Sequence, residues 1–380
     1  MSASGRISLV EVSPVWPLRY TGDYLTTTYN RRGFLGRSLI VAGGIAGAGT
    51  FAEFLTACGS SSSKSTTGST TANAAKVSLQ FSWIKNVEFA GSYIADKKGY
   101  YTAEGVTADL VSGGPTATIE PNVQSGKILI GMNSPSATSE AVAKGADLKI
   151  IATMYQKSPF AIMSLASNPI KTPQDMIGKK IGVQAANQPI WQAFLKANSI
   201  DASKVTTIPA QFDPTPLANK QVDGWFSFVT NEPNLLKVKG VDTFTFLLND
   251  FKYPSITNTY FVKSDTLKDK DKRASVVKFM RAEIKGWQDN VKDPKAGADL
   301  AANDYGKALK LDVAEQLLGN EAAVKLIQSA DTDAHGLFWM TDEKIAETVA
   351  TINAGGGTIS KDLFTREILE EVYGGKNTIA

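Results

Sequence analysis

From about residue 76 to the C-terminus, short runs of strand character alternate with segments of helical period, and no internal repeat is visible. Val77, Leu79 and Phe81 alternate with polar residues as in a strand, and residues 90–98 read as a helix closed by Gly99. Residues 127–132 and 148–154 read as buried strands, with a helix over 138–144 between them. Thr172-Pro173-Gln174-Asp175 spells a helix start, with a hydroxyl cap, Pro at the first helical position and an acid near the N-terminus; Gly178 ends it. Strands at 180–183, 205–209, 222–228 and 244–248 follow, around a helix near 188–197. After a strand at 256–262, Val276, Met280, Ile284 and Trp287 mark one face of a long helix. The remainder reads as mainly helical, with a break at residues 355–357. Such alternation predicts open α/β sheets with largely parallel strands.

The length of this region suits two lobes. Two segments, 154–161 and 251–259, read as crossings between sheets. Lobe one is then discontinuous, residues 76–156 and 255–380, and lobe two is 157–254, with a hinge at the crossings and a cleft between the lobes.

The N-terminal 57 residues read differently. Asn30-Arg31-Arg32-Gly33-Phe34-Leu35 resembles the twin-arginine export motif, and an uncharged Gly/Ala-rich apolar stretch follows over 39–52. Leu55-Thr56-Ala57-Cys58-Gly59 resembles the lipobox of bacterial lipoproteins, which makes Cys58 the lipidated first residue of the mature protein. The competing reading is a short hydrophobic helix with a buried free thiol. A spanning helix is disfavoured, because the uncharged run is shorter than the ~20 residues needed and Glu53 interrupts it. Residues 58–75, rich in Ser, Thr and Gly, offer nothing large and apolar to offset the entropy of ordering, so they read as a flexible tether. The chain is expected to be exported and lipid-anchored to the outer face of the cell membrane, or periplasmic.

Composition removes several chemistries. With one His and one Cys in 380 residues, zinc fingers, disulfide frameworks, iron–sulfur clusters and Cys/His nucleophile pairs lack their residues. Carboxylate-only and Ser/Lys catalysis remain open. The formal charge is +3, falling to +1 without residues 1–57, and no basic tract is present, so nucleic acid is not an expected partner.

The stretch FSWIKNVEFAGSYIADKKGYYTAEGVTADLVSGGP resembles the start of binding proteins for nitrate, sulfonates, taurine and thiamin pyrimidine precursors, the NMT1 or thiamin-pyrimidine-binding-like family. The resemblance continues through GMNSPSATSEAVAKGADLKIIATMYQKSP, TPQDMIGKKIGVQ and VDGWFSFVTNEPNLLKVKG. It implies a two-lobed α/β fold of the type II periplasmic-binding-protein kind and a role as the solute-binding component of an ABC importer. The implied partners are a small-molecule ligand, a permease and its ATPase, and the membrane through the lipid. No cofactor or metal, no catalysis and a monomeric state are expected. The family also contains a fungal pyrimidine synthase that consumes one of its own His residues and carries a Cys-rich motif. Here the only His is His335, near the C-terminus, and the only Cys is Cys58, so that activity is not expected.

Ligands of open α/β sheets sit beyond the carboxyl ends of the strands. Trp83 follows the first strand and either stacks on a flat ring or caps a core; in pyrimidine-binding relatives the same stretch lines the ligand. Asn86 and Phe89 follow in the turn. Gly114, in a Gly-Gly-Pro loop, permits close backbone approach. Asn133, Ser134 and Ser136 surround a helix start, where Ser134 either caps or faces the cleft. Gln156 and Ser158 lie on the first crossing, and Gln184 and Asn187 precede a helix of lobe two. Trp225, Asn231 and Glu232 belong to WFSFVTNEP, whose strand interior ends in Thr230, Asn231 and Glu232 before Pro233 opens a helix. A carboxylate there accepts hydrogen bonds from an exocyclic amine or ring N–H, or else only stabilises the helix dipole. An aromatic heterocycle, a pyrimidine precursor or flavin, is the expected cargo. The alternatives are a sulfonate, nitrate or taurine ligand, or an exported enzyme or sensor.

Overall fold

The computed structural model describes residues 74–380; the export motif, Cys58 and nearly all of the tether lie outside the described residues. Ten strands form two five-stranded sheets. The first holds β1 (Ala75–Gln80), β2 (Val106–Val111), β3 (Ile130–Asn133), β4 (Leu148–Tyr155) and β10 (Thr257–Lys263), in the order β2-β1-β3-β10-β4. The second holds β5 (Phe160–Leu165), β6 (Lys180–Gln184), β7 (Thr206–Ala210), β8 (Gly224–Phe228) and β9 (Thr243–Leu247), in the order β7-β6-β8-β5-β9. Each sheet carries its own buried core: Leu79, Phe81, Ile130 and Met132 in the first, Ile162, Ile181, Val183 and Phe226 in the second.

Both sheets are mixed rather than largely parallel. β1 pairs in parallel with β2 and β3, and β6 with β7 and β8. In contrast, β10 runs antiparallel to β3 and β4, and β5 runs antiparallel to β8 and β9. The antiparallel strands are the two entered directly from the other sheet. A βαβ crossover within one sheet imposes parallel direction, and a strand arriving from elsewhere escapes that constraint. The two connections run side by side: Ser158 on the β4–β5 link donates its backbone N–H to the Ser255 carbonyl on the β9–β10 link at 3.0 Å.

The helix start at Thr172 proceeds for only one 3-10 turn, Pro173–Met176. Asp175 accepts the backbone N–H groups of Lys171 and Thr172 at 3.0 and 2.9 Å, and Gly178, at φ +79°, turns the chain into β6 before a second turn can form.

The long helix is Lys270–Lys292, and Val276, Met280, Ile284 and Trp287 are all buried on it. It packs against the helix Ala90–Lys97 at a glycine contact, where a Cβ on Gly286 would stand 2.1 Å from the Gly91 carbonyl oxygen. Between these helices and the first sheet lies Glu283, fully buried. Its carboxylate accepts hydrogen bonds from Ser92 Oγ at 2.6 Å, Tyr260 OH at 2.8 Å, Trp287 Nε1 at 3.1 Å and the Tyr101 hydroxyl.

Candidate ligand cavity between the sheets

The ends of six strands converge on one cavity. Four contribute their carboxyl ends. β1 leads into Ser82, Trp83 and, through the 3-10 turn Val87–Phe89, Glu88; β3 ends in Asn133 and Ser134; β6 leads to Ala186 and Asn187; β8 ends in Phe228 and leads to Asn231 and Glu232. The two antiparallel strands contribute their amino ends instead, Phe160 from β5 and Thr257 with Asn258 from β10.

Glu88 is the hub of the polar wall. Its Oε1 accepts from Asn258 Nδ2 at 2.7 Å and from Ser82 Oγ at 3.1 Å, while its Oε2 accepts from Asn231 Nδ2 at 3.1 Å. Burial pushes its pKa upward, and these three hydrogen bonds pull against the shift. Glu232 Oε2 accepts the backbone N–H of Phe228 at 2.9 Å. Burial, opposed by backbone N–H bonds from Phe228 and from Glu232 itself and reinforced by the charges of Glu88 and Glu315, pushes its pKa up to about 8. Thr257 is buried with its hydroxyl unpaired in the same wall.

The apolar wall consists of Trp83, Phe160 and Phe228, with the last two rings edge to face at 4.4 Å. No Lys, Arg or His is among the residues lining the cavity. The sheets are drawn together around it. Asn86 Nδ2 donates to Asn231 Oδ1 at 3.3 Å, Asn231 reaches Glu88, and the Ala186 N–H donates to the Pro115 carbonyl at 3.0 Å. This wall can grip a flat ring by its faces and by N–H groups on its edge; it offers an anion no opposite charge.

The profile of the NMT1/THI5-like family matches residues 86–297, just over half of the chain. The chain belongs to the NMT1/THI5-like family. Riboflavin-binding protein RibY of Chloroflexus aurantiacus is 24% identical over 287 residues, covering 74% of this chain and 81% of that protein. A formylaminopyrimidine-binding protein of Halalkalibacterium halodurans is 22% identical over 238 residues, covering 61% and 71%. Among solved structures, the alkanesulfonate-binding protein SsuA of Xanthomonas axonopodis pv. citri, bound to MOPS, superimposes with TM-score 0.58 at 15% identity, covering 77% of this chain and 97% of that one. At that identity the likeness establishes the two-lobed periplasmic-binding-protein fold.

Within this NMT1/THI5-like chain, Trp83, Asn133, Ser134, Asn187, Asn231 and Glu232 all border the cavity. Ser134 also caps the helix Pro135–Ala143, its Oγ accepting from Ala137 N at 3.2 Å, so both of its expected roles coexist. Asn86 and Gln184 stand one layer behind. Asn86 Oδ1 accepts from the Glu88 N–H at 3.0 Å, and Gln184 Oε1 accepts from Asn187 Nδ2 at 3.0 Å while its own Nε2 donates to the Phe226 carbonyl. They orient the residues that line the wall.

Beyond Asn86 and Gln184, six expected residues also stand outside the cavity wall, Ser158 among them on the link. Phe89 stacks on Phe81 at 4.0 Å inside the first core, because the 3-10 turn aims Glu88 at the cavity and its neighbour inward. Trp225 packs over Gly182, where β6 leaves room for its ring, on the opposite face of β8 from Phe226, so both are core. Ser136 pairs with Tyr253 OH at 3.0 Å, and Gln156 turns its Nε2 to the Trp339 carbonyl at 2.9 Å. Gly114 sits in the loop whose Pro115 carbonyl bridges to Ala186, and Ser158 joins the two links by its backbone. His335 ends the helix Ala330–His335 and stacks on Trp339 at 5.2 Å, beside a separate surface hollow.

Sequence reasoning missed Glu88, Phe160, Thr257 and Asn258. Glu88 stands in the turn directly after a strand, where an acid reads as ordinary. Phe160, Thr257 and Asn258 lie at strand beginnings, where no local signal points to a cavity.

Proposed function

We propose that this protein is the solute-binding component of an ABC importer and that its cargo is a neutral, flat aromatic heterocycle bearing N–H groups, a thiamin-type pyrimidine or a flavin. One observation carries the reading: three aromatic rings, two buried carboxyls (Glu88, Glu232) and four carboxamides (Asn133, Asn187, Asn231, Asn258) face one cavity whose lining includes no basic side chain. Buried N–H groups need acceptors, at about 1–3 kcal/mol for each one left unpaired, and these side chains supply them. A sulfonate or nitrate would instead face carboxyl groups. The riboflavin- and formylaminopyrimidine-binding relatives support the same class of cargo, and binding without turnover.

The test is calorimetry with riboflavin, with 4-amino-5-hydroxymethyl-2-methylpyrimidine and with an alkanesulfonate. At least one heterocycle is expected to bind with a Kd of about 1 μM or tighter, roughly −8 kcal/mol, and to be recovered unchanged. Binding of the sulfonate alone overturns the reading, and conversion of the heterocycle overturns the non-catalytic role.

Residues 1–57 serve as the export signal, Cys58 as the lipid anchor and residues 58–75 as the tether that holds the lobes near the permease; the β4–β5 and β9–β10 links act as the hinge. Cys58→Ala is expected to shift the protein from the membrane to the soluble fraction with heterocycle affinity unchanged. Recovery of the unaltered protein as a non-acylated species inside the cell would sink the anchor.

A further inference from the structure

Next to the inner cavity lies a second compartment of about 350 Å³ with walls from both halves of the fold. Ile84, Leu309 and Leu311 come from the side of the first sheet, and Phe212, Leu235 and Val238 from the second. The two spaces share Trp83, Asn231 and Glu232 as a common partition.

Among the described residues five large apolar side chains are exposed, and three of them, Phe212 at 41%, Val238 at 38% and Leu309 at 37%, stand around this compartment. Scattered exposed apolar groups are ordinary; a cluster at one opening marks a contact surface. The polar groups at the back of the compartment are already engaged with each other. Gln316 accepts the Val87 N–H at 2.6 Å and donates to Glu315. Asp213 and Asp312 accept the backbone N–H groups of Thr215 and Glu315 at 3.0 and 2.9 Å, Lys239 and Lys310 line the compartment as solvent-exposed side chains, and the apolar cluster is left uncovered.

We infer that the outer compartment holds an uncharged apolar substituent of the same molecule whose heterocycle occupies the inner cavity, so that the natural ligand is a ring with an arm. The assignment rests on the heterocycle reading of the inner cavity. The shared wall favours a ligand arm as occupant, because Trp83, Asn231 and Glu232 border both spaces at once.

The probes are two 4-amino-2-methylpyrimidines, one with methyl and one with benzyl at position 5, titrated calorimetrically into the full-length protein and into the variants Phe212→Ser and Leu309→Ser. Both positions are exposed, so the fold tolerates the change. The benzyl compound is expected to bind about thirtyfold more tightly than the methyl compound, as follows from removing about 80 Å² of apolar surface from water. In each variant that advantage falls to about threefold or less, while methyl-compound affinity stays at the wild-type value. Equal affinity for the two compounds in the unaltered protein, or equal weakening of both in the variants, overturns the outer site while leaving the inner one standing. Failure of both compounds to bind while riboflavin binds overturns the outer site and leaves the inner one standing, and failure of riboflavin as well overturns both.

Discussion

Glu232→Gln is expected to weaken binding of whichever heterocycle the protein takes ten- to a hundredfold near pH 9 and far less near pH 6, the charge-assisted bond being worth roughly 1.5–3 kcal/mol. The Phe228 N–H already occupies Oε2, so in the amide the carbonyl oxygen stays at that bond and an NH₂ faces the cavity. A donor then meets the donor on the ligand. The pH dependence follows from the raised pKa of about 8. Below that value the unliganded carboxyl carries its proton and presents an O–H; above it, both oxygens accept. A ligand that offers an N–H binds the ionised form and so displaces a proton, and its affinity rises about tenfold between pH 7 and pH 9 as the competent fraction goes from about a tenth to about nine-tenths. For folding, the sign is opposite. The group's contribution is fully present below 4.5 and is lost as pH rises through about 8, because the folded state holds the proton more tightly. A flat pH profile in the unaltered protein, or tighter binding in the variant, would remove Glu232 from the ligand's edge.

The largest expected loss of stability is at Glu283, remote from the cavity wall. Glu283→Ala leaves the hydroxyls of Ser92, Tyr101 and Tyr260 and the indole N–H of Trp287 buried without their acceptor. At about 1–3 kcal/mol for each unpaired donor, even partial rescue by water leaves a cost of about 4 kcal/mol. That corresponds to a fall in melting temperature of about 10 °C for a domain of this size. Burial raises the Glu283 pKa, so unaltered protein also loses stability as pH rises above 4.5, and that part of the slope should vanish in the variant. Differential scanning calorimetry across pH measures both quantities. A melting point unchanged to within about 2 °C would show that the four donors find other partners.

Local patterns were legible wherever the deciding interactions are local. The alternation at Val77, Leu79 and Phe81, the cap at Ser134 and the buried face of the 270–292 helix follow from periods and caps a few residues long, and all are present. Strand direction is set by where the chain has come from, and that is why β5 and β10 were not legible as antiparallel. The same blindness hid Phe160, Thr257 and Asn258, which reach the cavity only because those strands begin there. Glu88 reads locally as an ordinary acid in a helical first turn; only the convergence of Asn258, Asn231 and Ser82 on it reveals a hub. Trp225 and Phe89 were ambiguous for a different reason. An aromatic near a strand end can face a cavity or a core, and the choice depends on partners distant in sequence, here Gly182 and, for Phe89, the ring of Phe81.

The antiparallel pairing of β10 with β4 has an architectural consequence. Tyr155, the last residue of β4, stands opposite Thr257, the first of β10, so the whole second sheet hangs from what is topologically the tip of a hairpin. The strands of the first sheet and the long C-terminal helix are complete without it. The second half of the cavity is a guest module, and a different guest can be grafted at that one tip without re-threading its host. A lineage that changes its cargo can therefore replace Phe160, Asn187, Phe228, Asn231 and Glu232 as one cassette while keeping Trp83, Glu88 and Asn258 in the half that hosts it.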